Sequence, residues 1–142
     1  MAKEDPYHLE RFLQAQEGIF DVALRELTRG RKESHWMWFI FPQMEGLGRS
    51  SIARLYAIKS HAEAEAYLRH PILGARLQQS AQALLKVKGK SATQVMGSPD
   101  DLKLRSSMTL FALVAGEKIV FQQVLDKYYG GEKDVKTLAL MS

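Results

Sequence analysis

Apolar residues recur at steps of three and four positions along most of this 142-residue chain. That spacing follows one face of an α-helix. The first such stripe extends from Pro6 to Gly30, and Gly18 interrupts it, so we predict about six helical turns with a break or kink at Gly18. Asp5 predicts the cap of this helix, because its carboxylate accepts hydrogen bonds from free amides and Pro6 has no amide hydrogen to leave unpaired.

Stripes of the same period continue to about residue 129, and serine, proline and glycine residues mark their ends. They predict a short helix from Ser50 or Ser51, a helix capped by Ser60, a long helix from Pro71 to Val87, one helical turn over 91–96, a helix from Ser98 to about Ala115 and a last helix over 117–129. No stretch of the sequence alternates polar and apolar residues as a half-buried strand does. We therefore predict an all-α fold of about six helices.

Residues 36–41 form an uninterrupted run of six large apolar side chains. The run is rich in residues that favour strands, but it is too short to decide between strand and helix. The sequence shows no internal repeat, linker or low-complexity segment, and 46% of its residues are hydrophobic. Residues 1–142 are therefore predicted to form a single compact domain.

Composition excludes several kinds of site. The chain has no cysteine, which excludes disulfides, thiol nucleophiles and thiolate metal ligands. Residues 1–6 lack the apolar core of a signal peptide, and the longest apolar runs are far below the roughly 18 residues that span a bilayer, so we expect a cytoplasmic protein with no membrane contact. The net charge of +4 suits an anionic ligand, but acidic and basic residues are interspersed, which argues against nucleic acid as the main partner.

The tract 31–43 combines both tryptophans, a histidine and basic residues, and it is the first candidate site. Aromatic faces stack on bases or nicotinamide rings, cations hold phosphates, and His35 is the candidate general acid or base. The alternative is a buried segment around which the helices pack. The candidate ligand-binding residues of this tract are Lys32, Ser34, Trp36, Trp38 and Gln43.

A glycine-rich turn follows over residues 46–51 and is the second candidate site. Free amides at a helix start, next to hydroxyls and a cation, suit a phosphate or carboxylate. The turn lacks the lysine and spacing of a P-loop and the three-glycine dinucleotide fingerprint, so a plain turn with a serine cap is the alternative. Its candidate residues are Gly46, Gly48, Arg49 and Ser50.

The third candidate site is the start of the helix that begins near Ser98. Lys103, Arg105, Ser106 and Ser107 lie within about one helical turn and can present cations and hydroxyls together. The alternative is a scaffold in which Asp101 pairs with Arg105, Asp100 reaches Lys103, and the serines bond backward to carbonyls.

Other chemistries find no support in the sequence. The four histidines show none of the spacings typical of metal ligands, so no metal site is predicted. The Gly-x-Ser-x-Gly elbow of serine hydrolases is also absent.

The segments 31–43, 46–50, 56–58, 67–74 and 100–111 resemble a bacterial family known as domain of unknown function 1810, whose members are sometimes labelled calpastatin. The resemblance covers nearly the whole chain. It implies an all-helical, single-domain fold and no established activity. Residues 12–16, with Lys103, residues 107–108 and Phe111, are also similar to fragments of the NADAR family, which is linked to NAD and ADP-ribose metabolism. This second resemblance implies a phosphate-bearing ligand.

Three functions stay open at this point. The first is binding of an anionic small molecule, of nucleotide, ADP-ribose or phosphosugar type, with His35 transferring protons if a reaction occurs. The second is a non-catalytic helical module that binds a protein partner, and the third is weak nucleic-acid binding. The cofactor, and whether the protein is an enzyme, stay undetermined.

Overall fold

The computed structural model describes residues 4–116 and 118–142, which form ten α-helices and no β-strand. The all-α prediction is confirmed, and the expected number of about six helices is wrong. The helices are α1 (Glu10–Gln16), α2 (Phe20–Arg29), α3 (Met37–Ile40), α4 (Ser51–Leu55), α5 (His61–Arg69), α6 (Leu73–Lys86), α7 (Ala92–Met96), α8 (Asp100–Val114), α9 (Val120–Tyr129) and α10 (Val135–Met141).

The first predicted helix is two helices, because Gly18 has a φ of +71° and breaks the stripe between α1 and α2. The carboxylate of Asp5 accepts hydrogen bonds from the amides of Leu9 and Glu10, at 2.7 and 3.0 Å. Asp5 therefore binds amides at the start of α1 but is not its N-cap residue, because α1 begins at Glu10 rather than at Pro6 and its N-cap residue is Leu9. The predicted cap is wrong in this respect.

Two further helices, α3 and α10, were not predicted. The apolar run at residues 36–41, which could have been a strand or a helix, contains the single turn α3. α10 lies beyond the last predicted helix. α9 begins at Val120, and its predicted start at residue 117 lies outside the described residues. Residues 1–3, part of the segment in which no signal peptide is expected, also lie outside them. Among the helices that the structure describes, none has the length and apolar content to cross a bilayer.

α8 lies at the centre of the fold, where it packs against α5, α7, α9 and α10. A row of four buried aromatic rings runs through the core next to it. The ring centroids of Phe12 and Tyr67 are 5.0 Å apart, those of Tyr67 and Phe111 5.4 Å, and those of Phe111 and Phe121 6.0 Å. Because the row joins α1, α5, α8 and α9, α8 is a fixed platform for the side chains of its first turns.

The loop between α3 and α4 is held by a short parallel bridge to the chain before α5. The amide of Ile58 donates to the carbonyl of Gln43 at 2.9 Å, and the carbonyl of Ile58 accepts from the amide of Glu45 at 2.8 Å. The buried guanidinium of Arg11 donates to the carbonyls of Leu55 and Ala57, which ties the segment before α5 to α1. The loop between α3 and α4 lies beside the first turns of α8.

Candidate functional site

A cleft of about 440 Å³ opens between the α3–α4 loop, the first turns of α8 and the start of α10. This volume is within the range of small-molecule sites, which extends over roughly 300–1,000 Å³. Five of the sequence candidates line it, namely Gln43, Gly48, Lys103, Arg105 and Ser106. The structure therefore joins one residue from each of the first two candidate sites to three residues of the third.

A smaller pocket of about 20 Å³ adjoins the cleft, since Gln43, Gly48 and Lys103 line both. It has room for about one water molecule. Trp38 lines this pocket, and the ammonium of Lys103 lies 5.7 Å from the centre of its ring. The indole therefore orients a cation at the rim of the cleft by a cation–π contact.

Gly48 lies where the loop passes close to α4. A Cβ atom at this position would lie 2.5 Å from the Cβ of Ala53, which is closer than carbon atoms approach. Because the methyl group of Ala53 is fixed to the backbone of α4, only glycine allows this course of the loop. The glycine thus shapes one wall of the cleft.

Positive charge exceeds negative charge in the lining of the cleft. Lys103, Arg105 and Lys136 contribute cations, and Asp134 contributes a carboxylate. The carboxylate of Asp134 accepts hydrogen bonds from the amide and hydroxyl of Thr137, at 3.0 and 2.6 Å, so it serves as the cap of α10. The electrostatic environment of the cleft favours an anion.

Of Lys103 and Arg105, the two cations of the lining that form ion pairs with described residues, Lys103 has the looser pair. Its Nζ lies 3.8 Å from Asp100 Oδ1, beyond hydrogen-bond distance, whereas Asp100 Oδ2 is 2.9 Å from the Nζ of Lys32. Since Asp100 is already paired with Lys32, most of the charge of Lys103 stays available to a ligand.

Arg105 has a different environment from the one predicted. Its guanidinium donates to the carbonyls of Glu132 and Lys133 and pairs with the exposed carboxylate of Glu132 at 3.2 Å. The expected partner, Asp101, instead accepts a hydrogen bond from Thr93 at 2.6 Å. Arg105 therefore holds the segment before α10 against α8. It stabilises one wall of the cleft in this way and adds a positive charge to its lining.

The two serines of α8 also differ. The hydroxyl of Ser106 donates to the carbonyl of Leu102 at 3.2 Å, the predicted backward bond. The hydroxyl of Ser107 is fully buried and has no hydrogen-bond partner among the described residues. Ser107 does not line the cleft.

Other candidates of the tract 31–43 surround a buried carboxylate rather than the cleft. Glu26 of α2 accepts hydrogen bonds from the amides of Glu33 and Ser34, the Ser34 hydroxyl and the indole of Trp36. Burial by itself raises the pKa of the Glu26 carboxyl. The hydrogen bonds from Ser34, Glu33 and Trp36 outweigh this effect and lower the pKa to about 2. The group is therefore ionised and structural.

Lys32 completes what we call the Glu26 cluster, which consists of Glu26, Lys32, Ser34 and Trp36. The ammonium of Lys32 donates to the carbonyl of Ser34 at 2.6 Å and lies 4.8 Å from the ring centre of Trp36. Trp36 is fully buried. The cluster therefore offers no open aromatic face for a ligand to stack on.

The remaining candidates lie outside the lining of the cleft. His35 and Arg49 are exposed, Gly46 lies beside Leu140 of α10, and the hydroxyl of Ser50 caps α4 through the amide of Ala53. Within residues 4–116 and 118–142, no three His, Asp or Glu side chains are grouped to hold a metal ion.

Sequence reasoning missed the other residues of the lining, which are Leu47, Pro99, Leu102, Asp134, Val135 and Lys136. Two signals point to some of them. Leu102 is a large apolar residue next to Lys103, within the third candidate site. Asp134, three residues before Thr137, has the spacing of a helix cap.

One protein family and one solved structure are similar to this chain over nearly its whole length. The model of a family described as protein of unknown function, DUF1810, matches residues 6–141. The chain is similar to the crystal structure of the conserved hypothetical protein Rv1873 from Mycobacterium tuberculosis, with 48% sequence identity and a TM-score of 0.95 over 96% of this chain and 98% of that chain. Among curated proteins, none matches the chain. The chain belongs to the DUF1810 family.

Proposed function

We propose that the cleft binds an anionic small molecule of the size of a nucleotide, ADP-ribose or a phosphosugar. The observation that carries this proposal is the charge of the lining, where Lys103, Arg105 and Lys136 face a volume of about 440 Å³ and the carboxylate of Asp134 is engaged in a helix cap. Three cations around one concave volume raise the local concentration of anions and hold them once bound.

In this proposal Lys103 makes the main contact with the anion, because its ion pair with Asp100 is loose. Arg105 adds charge and holds the wall formed by the chain before α10. Gln43 and Ser106 supply an amide and a hydroxyl that orient polar atoms of the ligand. His35 does not line the cleft and makes no contact with the ligand in this proposal.

The test is a calorimetric titration and a thermal-shift assay with ATP, NAD, ADP-ribose and glucose 6-phosphate. A ligand present at 100 times its dissociation constant adds about 2.7 kcal/mol of stability, which raises the melting temperature by several degrees. Lys103→Met is expected to weaken binding at least tenfold. Two control variants should bind like the wild type, namely Lys88→Met, which removes an exposed lysine after α6, and His35→Ala.

Two results would overturn the proposal. One is the absence of binding to every member of the panel. The other is binding that Lys103→Met leaves unchanged, because the ligand would then sit elsewhere. Binding that is lost in His35→Ala but kept in Lys103→Met would move the site to the tract 31–43.

A further inference from the structure

The cleft also brings together several apolar side chains. Leu102 is 61% exposed and Val135 is 75% exposed, and both line the cleft, with Leu47 and Pro99 beside them. Val135 and Leu102 are among the three most exposed large apolar residues that the structure describes, the other being Ile119 at 65%. Their meeting in one concave volume indicates that something covers them.

These apolar residues come from the same elements as the cations. Leu102 is next to Lys103 in α8, and Val135 is next to Lys136 in α10. A ligand that places its charge on the ammonium groups therefore brings its remaining atoms within reach of Leu102 and Val135. A purely polar anion would leave the two side chains in water.

We propose that the ligand of the cleft is an amphipathic anion, a phosphate or carboxylate joined to an apolar body such as an aromatic ring or a short alkyl chain. This inference rests on the proposed function, since it assumes that Lys103 holds the anionic end. The apolar body lies against Leu102 and Val135, which lose their contact with water on binding. Affinity then depends on two separable parts of the lining. Lys103 binds the anionic group, and Leu102 and Val135 contact the apolar body.

The experiment compares two ligands that share a headgroup, methyl phosphate and 1-naphthyl phosphate, by isothermal titration calorimetry. We expect the wild type to bind the naphthyl ester at least tenfold more tightly, which corresponds to the burial of about two methylene groups. The double variant Leu102→Gln/Val135→Thr should lose this preference and keep the affinity for methyl phosphate. Both replaced side chains are exposed, so the fold should persist, and circular dichroism checks that it does.

Two further variants complete the design. Ile119→Thr removes an equally exposed apolar side chain that does not line the cleft, and it should change neither affinity. Lys103→Met should weaken both esters by the same factor, because it acts on the shared phosphate group.

Each remaining outcome has a definite meaning. Equal affinities for the two esters in the wild type would overturn the amphipathic ligand and leave the anion site standing. No binding of either ester, or of the panel above, would overturn both proposals. A preference for the naphthyl ester that survives in Leu102→Gln/Val135→Thr would place the apolar contact elsewhere and overturn the inference. Binding of an acidic peptide with no binding of either ester would make the cleft a protein-docking site, which also contradicts it.

Discussion

The Glu26 cluster and the cleft are built from the same kinds of residue, but they differ in how many of their polar groups already have partners. In the Glu26 cluster each polar atom named above is hydrogen-bonded or ion-paired, and the indole of Trp36 is buried. In the cleft, the ammonium of Lys103 has a loose ion pair and a cation–π contact with Trp38, and Leu102 and Val135 face solvent. A satisfied cluster stabilises the fold, whereas an unsatisfied one has free energy to gain from a ligand.

The largest effect that this comparison predicts is on stability at Glu26. Glu26→Ala leaves the donors of Ser34, Glu33 and Trp36 without their acceptor and should lower the free energy of unfolding by about 3–5 kcal/mol. Urea denaturation measures it. Glu33→Ala is the control, since that carboxylate is exposed and lies 3.9 Å from Arg29, and it should cost less than about 1 kcal/mol. Equal losses in the two variants would remove the distinction.

The same carboxyl predicts a dependence of stability on pH. The pKa of Glu26 is about 2 in the folded protein, and its ordinary value is 4.5. A lowered pKa stabilises the fold above about pH 4.5, and this stabilisation is lost as the pH falls toward 2, by about 3 kcal/mol in all. Glu26→Gln should therefore be less stable at pH 7 and should lose less stability between pH 4.5 and 2. Parallel curves for the two proteins would contradict the assignment.

A pair of lysine variants separates the two regions. Lys32 is 6% exposed and paired with Asp100 at 2.9 Å, so Lys32→Met should cost about 2 kcal/mol of stability. Because it frees Asp100 to pair with Lys103, it should weaken ligand binding, but by less than Lys103→Met does. Lys103 is 30% exposed with a loose pair, so Lys103→Met should change stability by less than about 1 kcal/mol and weaken binding. Thermal melts and titrations on both variants test the crossed pattern. The reverse pattern would assign the ligand to the Glu26 cluster.

The smallest predicted effect concerns Ser107. Its buried hydroxyl has no hydrogen-bond partner in the part of the chain that the structure describes, so Ser107→Ala should leave the free energy of unfolding unchanged or raise it by up to about 1 kcal/mol. Ser106→Ala, which removes a hydrogen bond to the carbonyl of Leu102, is the matched control and should not stabilise. A loss above 1 kcal/mol in Ser107→Ala would show that the hydroxyl has a partner in solution.

The predicted caps and breaks show where sequence reasoning succeeds. The caps at Ser50 and Ser60 and the break at Gly18 all lie where the pattern predicts. Each depends on residues within about five positions of one another, so their physical cause is contained in a short segment of chain.

The candidate site was predicted less well, because its residues are close in space and distant in sequence. The tract 31–43 reads as one site, yet Trp36 turns to Glu26 of α2 while Gln43 faces the cleft. Arg105 binds carbonyls near residue 132 rather than Asp101, which is one helical turn away. In both cases the side chain binds a partner that is distant in sequence rather than one within a helical turn. The local sequence pattern does not identify that partner.

The sequence by itself determined that this protein is helical, where several of its helices begin and end, and to which family it bears resemblance. These properties follow from side chains that interact along one helix or cap its ends. Only the tertiary structure decided which polar residues became scaffold and which line a cleft. That division depends on the burial of Glu26 among the donors of one loop, and on Arg105 holding the start of α10 beside Lys103, contacts between elements that no local pattern contains.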